Sequence, residues 1–120
     1  MGEHGWFDKR LMLEESLRMP YLMRYPKEIK PGTVNDDIVM NIDFAPLLMD
    51  YAGLQTPDYM QGKSFRKNIT GEKPGRESMY YRYWMNGDGS HNVPAHYGIR
   101  TDRYKLIFFY ASFYYQFIRL

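Results

Sequence analysis

The densest chemistry in the chain sits in Gly2-Glu3-His4-Gly5-Trp6-Phe7-Asp8-Lys9, where an imidazole, an ammonium and two aromatic rings share one glycine-bounded turn. An imidazole can bind a metal or move a proton, but a metal site needs several ligands, and none lies at ligand spacing from His4. A turn role for His4 is the simpler reading, with Trp6 and Phe7 walling a pocket or packing a helix. Lys9 has two readings: a solvated residue ahead of a helix, or an ammonium held in a dry site. In the second case it would stabilise developing negative charge by about 2–4 kcal/mol, as other transition-state donors do. Glu14 and Glu15 are adjacent, so a helix points them apart and they do not form a catalytic carboxylate pair. A second polar group, His91, Asn92 and His96, surrounds a loop. Its side chains can hydrogen-bond sugar hydroxyls, and neighbouring aromatics can stack on a pyranose; an ordinary polar loop explains them equally well. Arg100, Arg103 and Lys105 make a basic stretch that either attracts an anion or is simply a solvated face, and the solvated face is favoured.

The elements that must position these groups follow from periodicity. Leu11, Met12, Leu13 and Leu17 predict a helix over 11–19, with Asp8 as N-cap and Pro20 as its stop. Tyr21–Tyr25 reads as a strand of an α/β sheet, closed by Pro26. After a polar loop with the turn dipeptide Pro31-Gly32, a short extended stretch at 38–40 leads to Asp43. That residue should cap a helix over Phe44–Tyr51, with Pro46 in its first turn and Gly53 beyond its end. Residues 54–76 read as loop. The period then changes: 78–84 alternates and is tyrosine-rich, and 96–100 with 103–110 flank Thr101-Asp102 as a β-hairpin. Residues 111–120 are apolar and nearly uncharged; they either complete the sheet or form a non-native end.

Composition narrows the class. The chain has 120 residues, 44% hydrophobic and 25% charged, which is globular and not disordered. A net charge of +2 without a dominant basic cluster argues against nucleic acid as a partner. The absence of cysteine removes disulfides, thiolate zinc sites and a Cys nucleophile. No apolar run approaches the roughly 18 residues of a membrane span, and no signal segment is present from which to read a compartment.

Four stretches, in order, carry a resemblance: Gly2-Glu3-His4-Gly5 through Pro20, Val34-Asn35-Asp36-Asp37-Ile38 through Gly53, Met60-Gln61-Gly62-Lys63-Ser64, and Tyr97-Gly98-Ile99-Arg100-Thr101-Asp102-Arg103-Tyr104-Lys105-Leu106. Together they resemble the C-terminal part of the formylglycine-dependent sulfatases, most closely bacterial members acting on glycosaminoglycan or mucin sugars and N-acetylglucosamine-6-sulfatase-like enzymes. The resemblance implies an α/β fold: residues 1–53 as the end of an alkaline-phosphatase-like α/β domain, and 54–120 as a C-terminal subdomain with a small antiparallel sheet. It implies hydrolysis of carbohydrate sulfate esters in an intact enzyme, with calcium and a formylglycine supplied upstream, since the Cys-x-Pro-x-Arg motif and the acidic metal pair are not in this sequence. This chain would then hold no cofactor or metal and would be inactive alone. The resemblance places Lys9 on the substrate's sulfate, and His91, Asn92 and His96 on the sugar. Separated from an upstream sheet, the apolar faces of the first helix and strand would favour self-association. Two rival readings stand beside this: a non-catalytic carbohydrate- or anion-binding piece, and part of a related phosphoester or phosphonate hydrolase.

Overall fold

The computed structural model describes residues 9–72, 75–87, 93–110 and 112–120. They form two compact units, one from 1–22 with 78–120 and one from 23–77. Gly53 lies within the second unit.

The first unit is built on a four-stranded antiparallel meander: β1 (Ser78–Tyr83), β2 (His96–Thr101), β3 (Tyr104–Phe109) and β4 (Tyr114–Arg119), in that spatial order. Both halves of the expected hairpin are present. Thr101 makes the tight connection by accepting the backbone N–H of Tyr104 on its hydroxyl at 3.0 Å. Residues 114–119 complete the sheet, pairing Phe109 with Tyr114 and Tyr104 with Arg119.

Side chains alternate between the two faces of a strand, so the register sorts them. One face carries Tyr81, Gly98 and Ile107 in one cross-strand row, and Tyr83, His96, Phe109 and Tyr114 in another. Met12 is buried against Ile107 and Phe109, with Leu11, Leu17, Tyr81 and Ile118 around them. Gly98 makes this approach feasible: a Cβ there would stand 2.5 Å from the Leu106 carbonyl oxygen and 2.6 Å from Met12 Sδ. The opposite face carries the rows Tyr80, Ile99, Leu106, Phe117 and Arg82, Tyr97, Phe108, Tyr115. Tyr80, Ile99, Leu106, Tyr115 and Phe117 are all exposed.

The helix expected over 11–19 shrinks to α1 (Glu14–Leu17). Leu13 is extended (φ −76°, ψ 149°), because Leu11 and Met12 are drawn onto the sheet, where burial outweighs a turn of helix. Asp8 lies outside the described residues.

The strand expected at 21–25 is absent; in the second unit the Tyr25 carbonyl instead accepts the N–H groups of Glu28 and Ile29, closing a turn. The 38–40 stretch contributes one bridge, between Ile38 and Arg76. A 3-10 turn (Asn41–Asp43) leads into α2 (Phe44–Tyr51), and α3 (Arg66–Ile69) interrupts the region expected to be loop. Asp43 does not cap α2 through its side chain. Only 2% exposed, it points back to accept Met40 N–H at 2.9 Å, Lys63 N–H at 2.8 Å and the Arg76 guanidinium. A buried carboxylate surrounded by several donors satisfies far more of its lone pairs this way than by one capping bond. Arg66 similarly clamps Glu28, with Nε to Oε2 at 2.8 Å, and reaches Asp50 Oδ1 at 3.0 Å.

Candidate functional site

The segment bearing Lys9 is held by the sheet. The Tyr81 hydroxyl on β1 donates to the Arg10 carbonyl at 2.8 Å, fixing the backbone beside Lys9. Lys9 itself is exposed and outside any helix or strand. Five residues on, Glu14 opens α1 and takes two cations. Arg100 Nε and Nη2 donate to its carboxylate at 3.1 and 3.0 Å, and Lys105 Nζ donates at 3.1 Å. Lys105 is 2% exposed and the Arg100 side chain 14%, so these are not the solvated basic residues the sequence favoured. The alternation of β2 and β3 sends both beneath the segment that carries Glu14. Burial alone would raise the Glu14 carboxyl, but the hydrogen bonds from Arg100 and then Lys105, with their charges, outweigh it and hold the group below the ordinary carboxylate range. Arg100 from β2 and Lys105 from β3 thus tie the segment bearing Glu14 to the sheet.

His96 opens β2 and has no exposed surface. Its ring lies 5.7 Å from Tyr81, 5.7 Å from Tyr83 and 5.1 Å from Phe109, centroid to centroid. The Pro94 carbonyl can only accept, so the 2.8 Å contact to Nδ1 places the proton there and makes Nε2 the lone-pair nitrogen. Among the described residues Nε2 has no hydrogen-bond partner. Desolvation pushes the imidazole pKa down, against the Pro94 bond, and keeps the ring neutral. His96 is therefore a buried residue at the start of β2 and not an exposed one. His91 and Asn92 lie outside the described residues, as do His4, Trp6 and Phe7. The ends of their loop are tied together: Ala95 N–H donates to Asn86 Oδ1 at 3.3 Å and Gly87 N–H to the Val93 carbonyl at 3.4 Å.

Two features escaped the sequence reading. The first is Glu14 as the partner of Arg100 and Lys105, across a separation of more than eighty residues that no local period reveals. The second is Arg82, whose guanidinium carbon lies 3.5 Å from the Trp84 ring centroid and 5.9 and 5.8 Å from those of Tyr97 and Tyr110. The i, i+2 spacing of Arg82 near the end of β1 and Trp84 just past it was a usable signal, since extended chain sends both the same way. Among the described residues, no group of three His, Cys, Asp or Glu side chains could hold a metal ion, and no helix is long and apolar enough to cross a membrane.

A solved protein described in complex with its substrate D-glucosamine-2-N,6-O-disulfate superposes with a TM-score of 0.90 at 44% identity, covering 98% of this chain and 25% of that one. The N-acetylglucosamine-6-O-sulfatase of Bacteroides thetaiotaomicron is 48% identical over 114 residues, which are 92% of this chain and 20% of that protein. A phosphonate monoester hydrolase from Silicibacter pomeroyi shares the fold more loosely, with a TM-score of 0.58 at 25% identity over 76% of this chain and 21% of that one. The chain thus spans a quarter or less of the length of these relatives. The antiparallel sheet with few helices is the architecture of the sulfatase C-terminal subdomain within the alkaline-phosphatase-like fold. With the profile of the N-sulphoglucosamine sulphohydrolase C-terminal family matching residues 2–118, the chain belongs to that sulfatase family.

Proposed function

We propose that the chain is the C-terminal part of a sulfatase that hydrolyses sulfate esters on a glucosamine-containing glycan of glycosaminoglycan or mucin type. The observation that carries this is the near-complete superposition, at 44% identity, on a protein solved with a disulfated glucosamine. In this reading Lys9 contacts the sulfate. The Tyr81 bond to Arg10 holds the backbone next to it, and the Glu14 bonds to Arg100 and Lys105 anchor the same segment to the sheet. His91 and Asn92 meet the sugar, and buried His96 positions the strand end to which their loop returns. Among the described residues no group of three His, Cys, Asp or Glu side chains could hold a calcium ion, and the sequence has no Cys-x-Pro-x-Arg motif. In this reading the nucleophile and the metal are supplied by the rest of the enzyme, and the 120 residues alone should not turn over an aryl sulfate.

The test is a chimera in which these residues replace the matching quarter of the protein solved with the disulfated glucosamine, assayed for desulfation of that sugar. Turnover should survive in the chimera. Lys9→Ala should lower kcat by about 10²–10³-fold, the scale for losing one transition-state donor. A folded chimera that ignores Lys9→Ala would remove Lys9 from the chemistry. One that prefers a phosphonate monoester would favour the related hydrolase class instead.

A further inference from the structure

We propose that Arg82, stacked on Trp84 and bordered by Tyr97 and Tyr110, is a binding platform for an anionic sugar, taking a sulfate or carboxylate group on the guanidinium and a pyranose on the aromatic surface.

The strand residues on the open face of the sheet include two arginines, Arg82 and Arg119, and no carboxylate. Arg82 has no ion pair or hydrogen bond among the described residues; its contacts are the three rings. Stacking on an indole restrains a guanidinium without consuming its in-plane N–H donors, which stay free for a bidentate bond to a sulfate or carboxylate. Trp84 is 69% exposed, so one face of the pair is open to a ligand. The platform is also held in place. Tyr110 Oη donates to the Tyr83 carbonyl at 3.1 Å, with the Trp84 carbonyl at 3.4 Å, pinning the strand end on which the indole sits.

Two of the three basic residues raised by the sequence do not compete: Arg100 and Lys105 are spent on Glu14 on the covered face, while Arg103 lies in the turn between β2 and β3 beside Tyr104. The platform lies directly before Asn86 and Gly87, whose bonds to Ala95 and Val93 fix the chain next to Trp84. Only the ligand class rests on the sulfatase reading; the site itself stands on the geometry of Arg82.

The experiment is a calorimetric titration of the 120-residue chain with glucosamine-2-N,6-O-disulfate, N-acetylglucosamine and inorganic sulfate. The disulfated sugar should bind more tightly than either of the others, because it alone offers both an anion and a ring. Arg82→Gln and Trp84→Leu should each weaken it by about tenfold or more, the scale of one charge-assisted contact. Arg24→Gln, an equal loss of charge in the other unit, should leave binding unchanged. Unaltered binding in Arg82→Gln, equal weakening by Arg82→Gln and Arg24→Gln, or sulfate binding as tightly as the sugar would each overturn the proposal. A far-UV spectrum of each variant matching the parent separates lost contact from lost fold. Failure of the chimera to turn over, with Arg82-dependent binding intact, would discard the sulfatase reading and leave the platform standing.

Discussion

Removing the Glu14 carboxylate should strand a buried cation. Lys105 is 2% exposed and Glu14 is its hydrogen-bond acceptor; Arg100, at 14%, leans on the same group. Breaking a buried pair by deleting one partner costs about 3–5 kcal/mol, most of it the penalty of the charge left behind. The Glu14 side chain is 29% exposed and water can enter where it stood, so the lower end applies and Glu14→Ala should cost about 3 kcal/mol. For a unit of this size that is a fall in Tm of about 10–20 °C, followed by circular dichroism of the chain. Lys105→Met tests the cause. Alone it should cost under about 1 kcal/mol, because Arg100 still holds Glu14 through two N–H groups and methionine fills the space. Placed on Glu14→Ala it should restore about 2 kcal/mol, since no ammonium is left orphaned. If Glu14→Ala costs under about 0.5 kcal/mol, or costs the same with and without Lys105→Met, the cluster is a screened surface arrangement and the reasoning fails.

Acid should unfold the chain in two steps. His96 is held below its ordinary pKa of about 6.5 by desolvation, so the unfolded chain binds more protons; stability is complete above that value and declines as pH falls toward the folded one. Glu14, Glu28 and Asp50 are likewise depressed, Glu28 by the Arg66 bond and Asp50 first by the Ser64 hydroxyl, giving a second loss as pH drops below about 4. A urea series across pH reads both steps, and His96→Phe should flatten the upper one alone. The open aromatic face and the nearly uncharged edge strand β4 should drive association. In sedimentation velocity Phe117→Lys should shift the chain toward monomer, and a parent chain that is already monomeric would contradict this.

How much of this was legible depends on how far apart the deciding residues lie. The hairpin around Thr101-Asp102 and the α2 helix, with Pro46 in its first turn and Gly53 in the left-handed region just past it, are written in residues that touch their neighbours in sequence. Family membership was legible for the same reason, because short runs of unusual residues survive as runs. The first helix was not. Leu11, Met12 and Leu13 have a helical period, but the winning contact is between Met12 and a glycine on β2, eighty-six positions on, and only the folded sheet reveals that slot. Two residues of the basic hairpin were misjudged by the same mechanism: charge is visible in sequence, the face it occupies is set by register, and register places Arg100 opposite Lys105 on the face that meets Glu14.

His96 and Arg82 show why residue type alone ranked the site residues poorly. Histidine next to a polar loop invites a sugar, yet strand alternation from a buried Gly98 sends His96 inward, and three aromatic rings enclose it. Arginine within a tyrosine-rich strand invites no comment, yet the same alternation sends Arg82 outward onto an indole two residues away. A cation on the open face with its donors unspent can reach a ligand; a cation on the covered face is a structural group, whatever its charge promises. If one substitution is to separate recognition from stability in this unit it is therefore Arg82→Gln, which should change binding and leave the melt alone, while Glu14→Ala should lower the melt, and Arg82-dependent sugar binding should persist wherever that variant stays folded.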